Sequence, residues 1–174
     1  MKASVFIATS IDGFIARSDG ALDWLPEGGG EPHGYLEFMA TVDALVIGRK
    51  TFETVLAFPH WPYGTKPVIV LSSRPESLEP PPGTMCSVMA ATPAEVVDRL
   101  AAQGMSHLYI DGGVTIQRFL AAGLIQRLII TRVPVVLGSG IPLFGPVAHD
   151  LRLTHVTTRA YPSGLVQSEY RVAA

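Results

Sequence analysis

Chemistry in this chain is concentrated where apolar runs give way to helical spacing. Residues 108–120 read LYIDGGVTIQRFL: an apolar run, an acid, two glycines and the first turns of a helix. Glycines at such a junction let backbone amides approach a ligand closely, and the helix start behind them offers unpaired N–H groups and a positive dipole end. That makes an anion site, although an isolated Gly-Gly pair also serves as a plain tight turn. Residues 48–53, GRKTFE, place Gly48 at a second junction, with the charge of Arg49 and the hydroxyl of Thr51 in the following turn. Residues 71–75, LSSRP, end a third run with Ser72, Ser73 and Arg74, groups suited to a phosphate. Three strand ends with phosphate-type chemistry imply one extended dinucleotide, since ligands of open α/β sheets sit outside the carboxyl ends of the strands.

The elements that must position these residues can be read from hydrophobic pattern. Five β-branched runs, at 3–9, 43–48, 67–72, 106–111 and 127–136, are continuously apolar, as strands covered on both faces are. Helical spacing fills 33–42, 50–57, 92–103 and 115–124. The third of these opens with Thr92, Pro93 and Glu95, an N-cap, a first-turn proline and an N3 acid. Strands alternating with helices predict a largely parallel sheet. Residues 151–161 and 165–172 flank Pro162-Ser163-Gly164, which predicts an antiparallel hairpin at the edge. Residues 26–34 and 74–84 hold too many Gly and Pro for regular structure and read as loops within a single domain spanning 1–174. The predicted class is α/β: a mixed, mostly parallel sheet of about eight strands with flanking helices.

Composition narrows the function. With 48% hydrophobic and 16% charged residues the chain is globular, not disordered. A net charge of -2 and no basic run argue against nucleic acid as a partner. No apolar stretch reaches the roughly 18 residues of a membrane span, so no membrane partner is expected. Cys86 stands alone, which excludes an internal disulfide, and the N-terminus lacks a signal pattern; both fit a cytoplasmic protein. Cys86 itself reads as a buried inert thiol. His33, His60, His107, His149 and His155 are scattered without ligand spacing, so no metal is expected. Asp12 with Gly13 reads as a turn, and Asp111 as a cap for the helix that follows.

SIDGFIA (10–16) with Asp23-Trp24, VIGRKTFE (46–53), VLSSRP (70–75), IDGG (110–113) and PVVLGSGIPLF (134–144) occur in the order seen in the dihydrofolate reductase superfamily. The whole chain resembles the bacterial branch similar to the reductase domain of riboflavin biosynthesis. The resemblance implies that fold, in three layers, and NADPH as cofactor. It implies a cis peptide between Gly112 and Gly113, with Val114, Thr115 and Ile116 cradling the pyrophosphate. Ala8 and Ile15 would then hold the nicotinamide, Gly48, Arg49 and Thr51 the adenosine and pyrophosphate, and Ser72, Ser73 and Arg74 the 2′-phosphate. It makes Asp12 an active-site loop residue, sets Trp61 and Tyr63 beside the substrate cleft, and suggests a homodimer paired through the C-terminal strands.

The chain departs from the family at the carboxylate that orients a pterin on the first helix. No aspartate lies there; Glu31 and Glu37 are the nearest acids, and Glu37 is the one placed on the helix. The expected activity is hydride transfer from NADPH to a small planar heterocycle, pterin-like or an aminopyrimidine. The alternatives are a riboflavin-pathway reductase of a ribosylaminopyrimidine and a nucleotide-binding protein without turnover.

Overall fold

In the computed structural model, which describes residues 1–173, eight strands form one sheet in the order β5-β4-β3-β6-β1-β7-β10-β9. The parallel part comprises β1 (Lys2–Thr9), β3 (Ala44–Gly48), β4 (Val68–Leu71), β5 (Cys86–Met89), β6 (His107–Asp111) and β7 (Arg127–Arg132). The hairpin β9 (Leu153–Ala160) and β10 (Val166–Val172) extends it antiparallel beyond β7. Four helices, α1 (Tyr35–Thr41), α2 (Arg49–Leu56), α3 (Pro93–Ala102) and α4 (Gly113–Ala121), flank the sheet. The predicted mixed α/β class is the observed one.

Strands that are apolar throughout serve two cores at once, because successive side chains point to opposite faces. Val5, Val46 and Ile110 pack with α3 and α4, whereas their neighbours Phe6, Leu45 and Tyr109 pack with Phe38 of α1 and Phe52 of α2. Local signals agree with this packing. Thr92 and Glu95 close the start of α3 with a reciprocal capping box, the Glu95 N–H donating to Thr92 Oγ1 and the Thr92 N–H to Glu95 Oε2.

The pattern reading fails in identifiable places. The run expected to stay extended over 127–136 leaves the sheet after Arg132, just before Pro134, which has no N–H for a ladder. β5 is a four-residue edge strand around Cys86 that is not among the five strand-like runs. β2 (Phe14–Ala16) and β8 (Ile141–Pro142) form a separate two-stranded sheet too short to carry a pattern. No helix among the described residues is long and apolar enough to cross a membrane.

Candidate functional site

A cavity of about 980 Å³ opens at the carboxyl ends of β1, β3, β4 and β6. Its position follows from the topology: β3 and β6 are neighbours in register, Ile47 opposite Asp111, so the turns into α2 and α4 lie side by side. The two junctions interlock through small groups. A Cβ on Gly48 would come within 2.7 Å of Thr115 Oγ1 on α4, and one on Gly112 would collide with Thr51 Oγ1 on α2. Each threonine is the third residue of its helix and fills the space the other junction's glycine leaves open.

This settles much of why two glycines stand together. Gly112 has φ +93°, which an L side chain rarely adopts, and it reverses the chain at the end of β6. Gly113 is already helical and faces the cavity, with Ile15 and Ile141 on its Cα side. The peptide between them is trans, as is every peptide bond among the described residues, so the cis bond implied by the resemblance is absent. The positive φ of Gly112 achieves the reversal without the roughly 2.5–4 kcal/mol that a non-proline cis bond costs.

Among the described residues neither α2 nor α4 has a side-chain cap, so the first-turn N–H groups of both helices, at starts that line the cavity, lack that partner. Arg49, Lys50 and Arg118 line the same space. Arg49 donates to Glu53 Oε1 at 2.8 Å and to Ser77 Oγ at 3.2 Å, which holds the guanidinium over the edge of the β4 end. Two helix starts and three cations make one wall a receptor for anionic groups.

Among the residues expected at a cofactor site, the structure gathers Ala8, Ile15, Gly48, Arg49, Thr51, Ser72, Ser73, Gly112, Gly113, Val114 and Thr115 around this cavity. Two other expected cofactor residues, Ile116 and Arg74, and the two catalytic candidates, Asp12 and Glu37, lie elsewhere. Ile116 is fully buried in the core, and its N–H is engaged by the Gly112 carbonyl. Arg74 lies outside the cavity wall on an exposed turn, its N–H donating to Ser72 Oγ. Asp12 is a clasp between loops: its carboxylate accepts the Leu137 and Gly138 N–H groups at 3.1 and 2.7 Å, and a hydrogen bond from Ser10 leads the causes that lower its pKa. Glu37 lines a different cavity, because Phe38 is the α1 residue that faces the core and Glu37 projects toward the C-terminal hairpin. Glu31, the other acid near the first helix, accepts from Ser163 N–H and Oγ and has its pKa lowered chiefly by that hydroxyl.

Three acids line the cavity: Asp19 and Glu53 are exposed at its rim, and Asp111 is the least exposed of the three. It does not cap α4; Gly112 holds the N-cap position, and Asp111 Oδ1 accepts only the N–H of Gly112, at 2.8 Å. Burial pushes its pKa up from the usual carboxylate range to about 6, with the Gly112 N–H opposing. Tyr35, Tyr63 and Tyr109 lie close enough for their proton affinities to rise in response to its charge, after the larger effect of their own burial. Tyr109 donates to the Phe6 carbonyl at 2.8 Å, while Tyr63 lines the cavity with its hydroxyl free of partners among the described residues. Trp61, expected beside the cleft, packs behind Tyr63 and Phe52 instead.

Cys86 is partly buried against the α1 and α2 core, and burial pushes its thiol up to about 11, the setting of an inert group. Among the described residues no group of three or more His, Cys, Asp or Glu is placed to hold a metal ion.

The chain is similar to the uncharacterized protein YwjB of Bacillus subtilis, with 37% identity over 92% of each chain. It superposes on the crystal structure of a Shewanella sp. PV-4 protein, described as a riboflavin biosynthesis candidate, with a TM-score of 0.89, 40% identity and full coverage of both chains. Dihydrofolate reductase from Enterococcus faecalis, solved with NADP(H), shares the fold at a TM-score of 0.64 and 18% identity over 99% of this chain and 97% of that one. Residues 2–167 match the RibD C-terminal domain, and the chain belongs to that family, on a dihydrofolate reductase-like fold.

Proposed function

We propose that the protein is an NADPH-dependent reductase of the riboflavin-pathway type acting on a small planar nitrogen heterocycle. The observation that carries this reading is the anion-receiving wall of the cavity: two uncapped helix starts locked together by Gly48, Gly112, Thr51 and Thr115, with Arg49, Lys50 and Arg118 beside them. A dinucleotide brings several negative charges to such a wall, and the 2′-phosphate of NADPH would fall to Arg49 and Ser73 at the β4 end. The family match and the NADP(H) held by the Enterococcus enzyme on the same fold support this choice.

When bound, NADPH supplies the hydride. The chain supplies the walls and the proton. Ala8 and Ile15 lie with Gly113 where a flat ring would pack. Asp111 lines the same cavity and keeps one carboxyl oxygen free of hydrogen bonds among the described residues, and near neutral pH it is held partly protonated by burial. It donates that proton to the substrate atom that receives the electron pair displaced by hydride, and is reprotonated from solvent. In this reading Asp111 is the proton donor, while Asp12 and Glu37, the acids singled out from the sequence, lie outside this cavity.

The test is a titration of wild type, Arg49→Ala and Arg74→Ala with NADPH and NADH. A charge-assisted hydrogen bond of about 1.5–3 kcal/mol corresponds to roughly tenfold to a hundredfold in affinity. Arg49→Ala should lose that much for NADPH, toward the lower end because Arg49 gives up Glu53 to bind phosphate, and almost nothing for NADH. Arg74→Ala should change less. Binding of neither cofactor by wild type defeats the reading; tight NADPH binding with no oxidation by any aminopyrimidine or pterin leaves a nucleotide-binding protein in its place.

A homodimer belongs to the same proposal. β9 is exposed along all eight residues, and Leu151, Leu153 and Val156 beside the edge are 38–42% exposed. A monomer by light scattering at micromolar concentration rules it out.

A further inference from the structure

A second cavity, of about 310 Å³, lies away from the strand ends, and the register explains it. Phe6 on β1, Ile129 on β7, Glu169 on β10 and Thr157 on β9 are successive cross-strand partners on one face of the sheet. Helix α1 covers only the Phe6 end of that row, so the face beyond Ile129 stands open beside the helix.

The floor of this cavity is prearranged. Arg127 and Glu169 form a bidentate ion pair with both bonds at 2.8 Å, and Gln167 Nε2 donates at 3.0 Å both to the His33 carbonyl and to Thr131 Oγ1. These bonds satisfy the floor and tie the loop before α1 to the hairpin. One wall is aromatic: the His33 ring lies 5.6 Å from that of Phe6 and tilts 32° to it, and Phe38 stacks on Phe6 at 5.1 Å. Three polar groups remain without an internal partner among the described residues. Arg159 on β9 and Glu37 on α1 line the cavity and make no ion pair, and the Tyr161 hydroxyl makes no hydrogen bond.

We infer that this cavity is a binding site, separate from the reductase cleft, for a small aromatic molecule carrying one anionic group and one hydrogen-bond donor. The ring lies along Phe6 and His33, the anion meets Arg159, and the donor meets Glu37. A guanidinium and a carboxylate held on opposite elements select a molecule with both groups over one with either alone. The volume is at the lower end of the range for small-molecule sites, which limits the ligand to about one ring with its substituents. Phe6 lines both cavities.

The probe is 4-aminobenzoate, with benzoate and aniline as analogues that each lack one group, titrated by NMR against wild type, Arg159→Ala and Glu37→Gln. Shifts should localise to α1, β9 and β10, and each analogue should bind roughly tenfold or more weakly than the parent. Arg159→Ala should lose 4-aminobenzoate and benzoate binding while keeping the wild-type melting temperature and NADPH affinity. Arg159→Lys should recover part of it. Shifts confined to the strand-end cavity, equal binding by Arg159→Ala, or a dimer in which this face is protected from exchange and no probe binds, each overturn the inference. NADPH affinity is read separately, so failure here and failure of the reductase reading give different results.

Discussion

Replacing Gly112 with alanine tests the interlocked junction on which the reductase reading rests. At φ +93° a β-carbon is strained, a cost of about 1–3 kcal/mol. The added methyl also meets Thr51 Oγ1 on α2, and the hydroxyl cannot move far while α2 stays packed on β3; overpacking of this kind costs about 1–3 kcal/mol. The expected loss is about 2–6 kcal/mol, a large share of the roughly 5–15 kcal/mol that stabilises a domain, and a fall in Tm of roughly 5–20 °C. Thr51→Ala removes the clashing oxygen, so the double variant should recover the packing share of the loss and keep the strain. Gly113→Ala is the control. Its added methyl meets the Ile15 tip at 3.2 Å and the Ile141 branch methyl at 3.0 Å, with the Pro142 carbonyl at an ordinary 3.5 Å, and alanine's helix preference of up to about 1 kcal/mol over glycine offsets part of that crowding. Gly113→Ala should stay within about 1 kcal/mol of wild type in a urea melt yet weaken NADPH binding, since the new methyl sits at the cavity wall. Gly112→Ala melting within about 0.5 kcal/mol of wild type, or no coupling to Thr51, would refute the junction as described. Equal stability and binding losses in Gly113→Ala would reduce the pair to a tight turn.

Asp111 makes stability fall as pH rises. Its folded pKa of about 6 lies above the unfolded value, so the folded protein holds an extra proton between the ordinary carboxylate range and pH 6, and the ionised group subtracts stability fully above that window. Two units at about 1.4 kcal/mol each set an upper bound near 3 kcal/mol, and Asp111→Asn should gain up to that amount at pH 8, gain nothing at pH 3, and lose turnover; no gain at pH 8 contradicts the burial argument. The Arg127–Glu169 pair runs the other way. Arg127 hydrogen bonds hold the Glu169 pKa below its usual value, so the pair stabilises above the unfolded carboxylate pKa and is lost as pH falls through the lower folded one. Arg127→Ala should cost about 1–3 kcal/mol at pH 7 and flatten the acid limb below pH 5 in a denaturation series; an unchanged limb would show that the pair does not set it.

How much of the fold could be read in advance depends on how strongly each segment obeys one period. β3, β4 and β6 are buried on both faces and are apolar without interruption, and α3 announces its own start with Thr92 and Glu95. β5 could not be read with the same assurance, because an edge strand of four residues is only partly buried and its side chains lose the contrast that marks a period. β9 and β10 were legible from their turn, not their faces: every residue of β9 is exposed.

The site divides along a similar line. Glycines, hydroxyls and arginines at strand ends are legible because topology alone carries such ends to one rim, whatever the side chains between them do. Carboxylates are not, since their chemistry depends on which face of an element they occupy. Glu37 and Phe38 differ by one position on α1, yet that rotation sends Glu37 toward the hairpin and Phe38 into the core. Asp111 has the opposite history: its place before two glycines looked like a cap, and what distinguishes a cap from an acid at a cavity floor is the company of Tyr35, Tyr63 and Tyr109. Two of those tyrosines come from segments far away in the chain, and no local spacing brings them to the end of β6. The signal that could have found it is subtler. An acid that caps must sit at the N-cap, and a glycine with positive φ at position 112 claims that place for itself, leaving Asp111 one residue too early to reach the N–H groups of the second and third helical positions. A carboxylate so displaced from its structural task keeps one oxygen free of hydrogen bonds among the described residues, and the proton-donating role proposed for Asp111 rests on that.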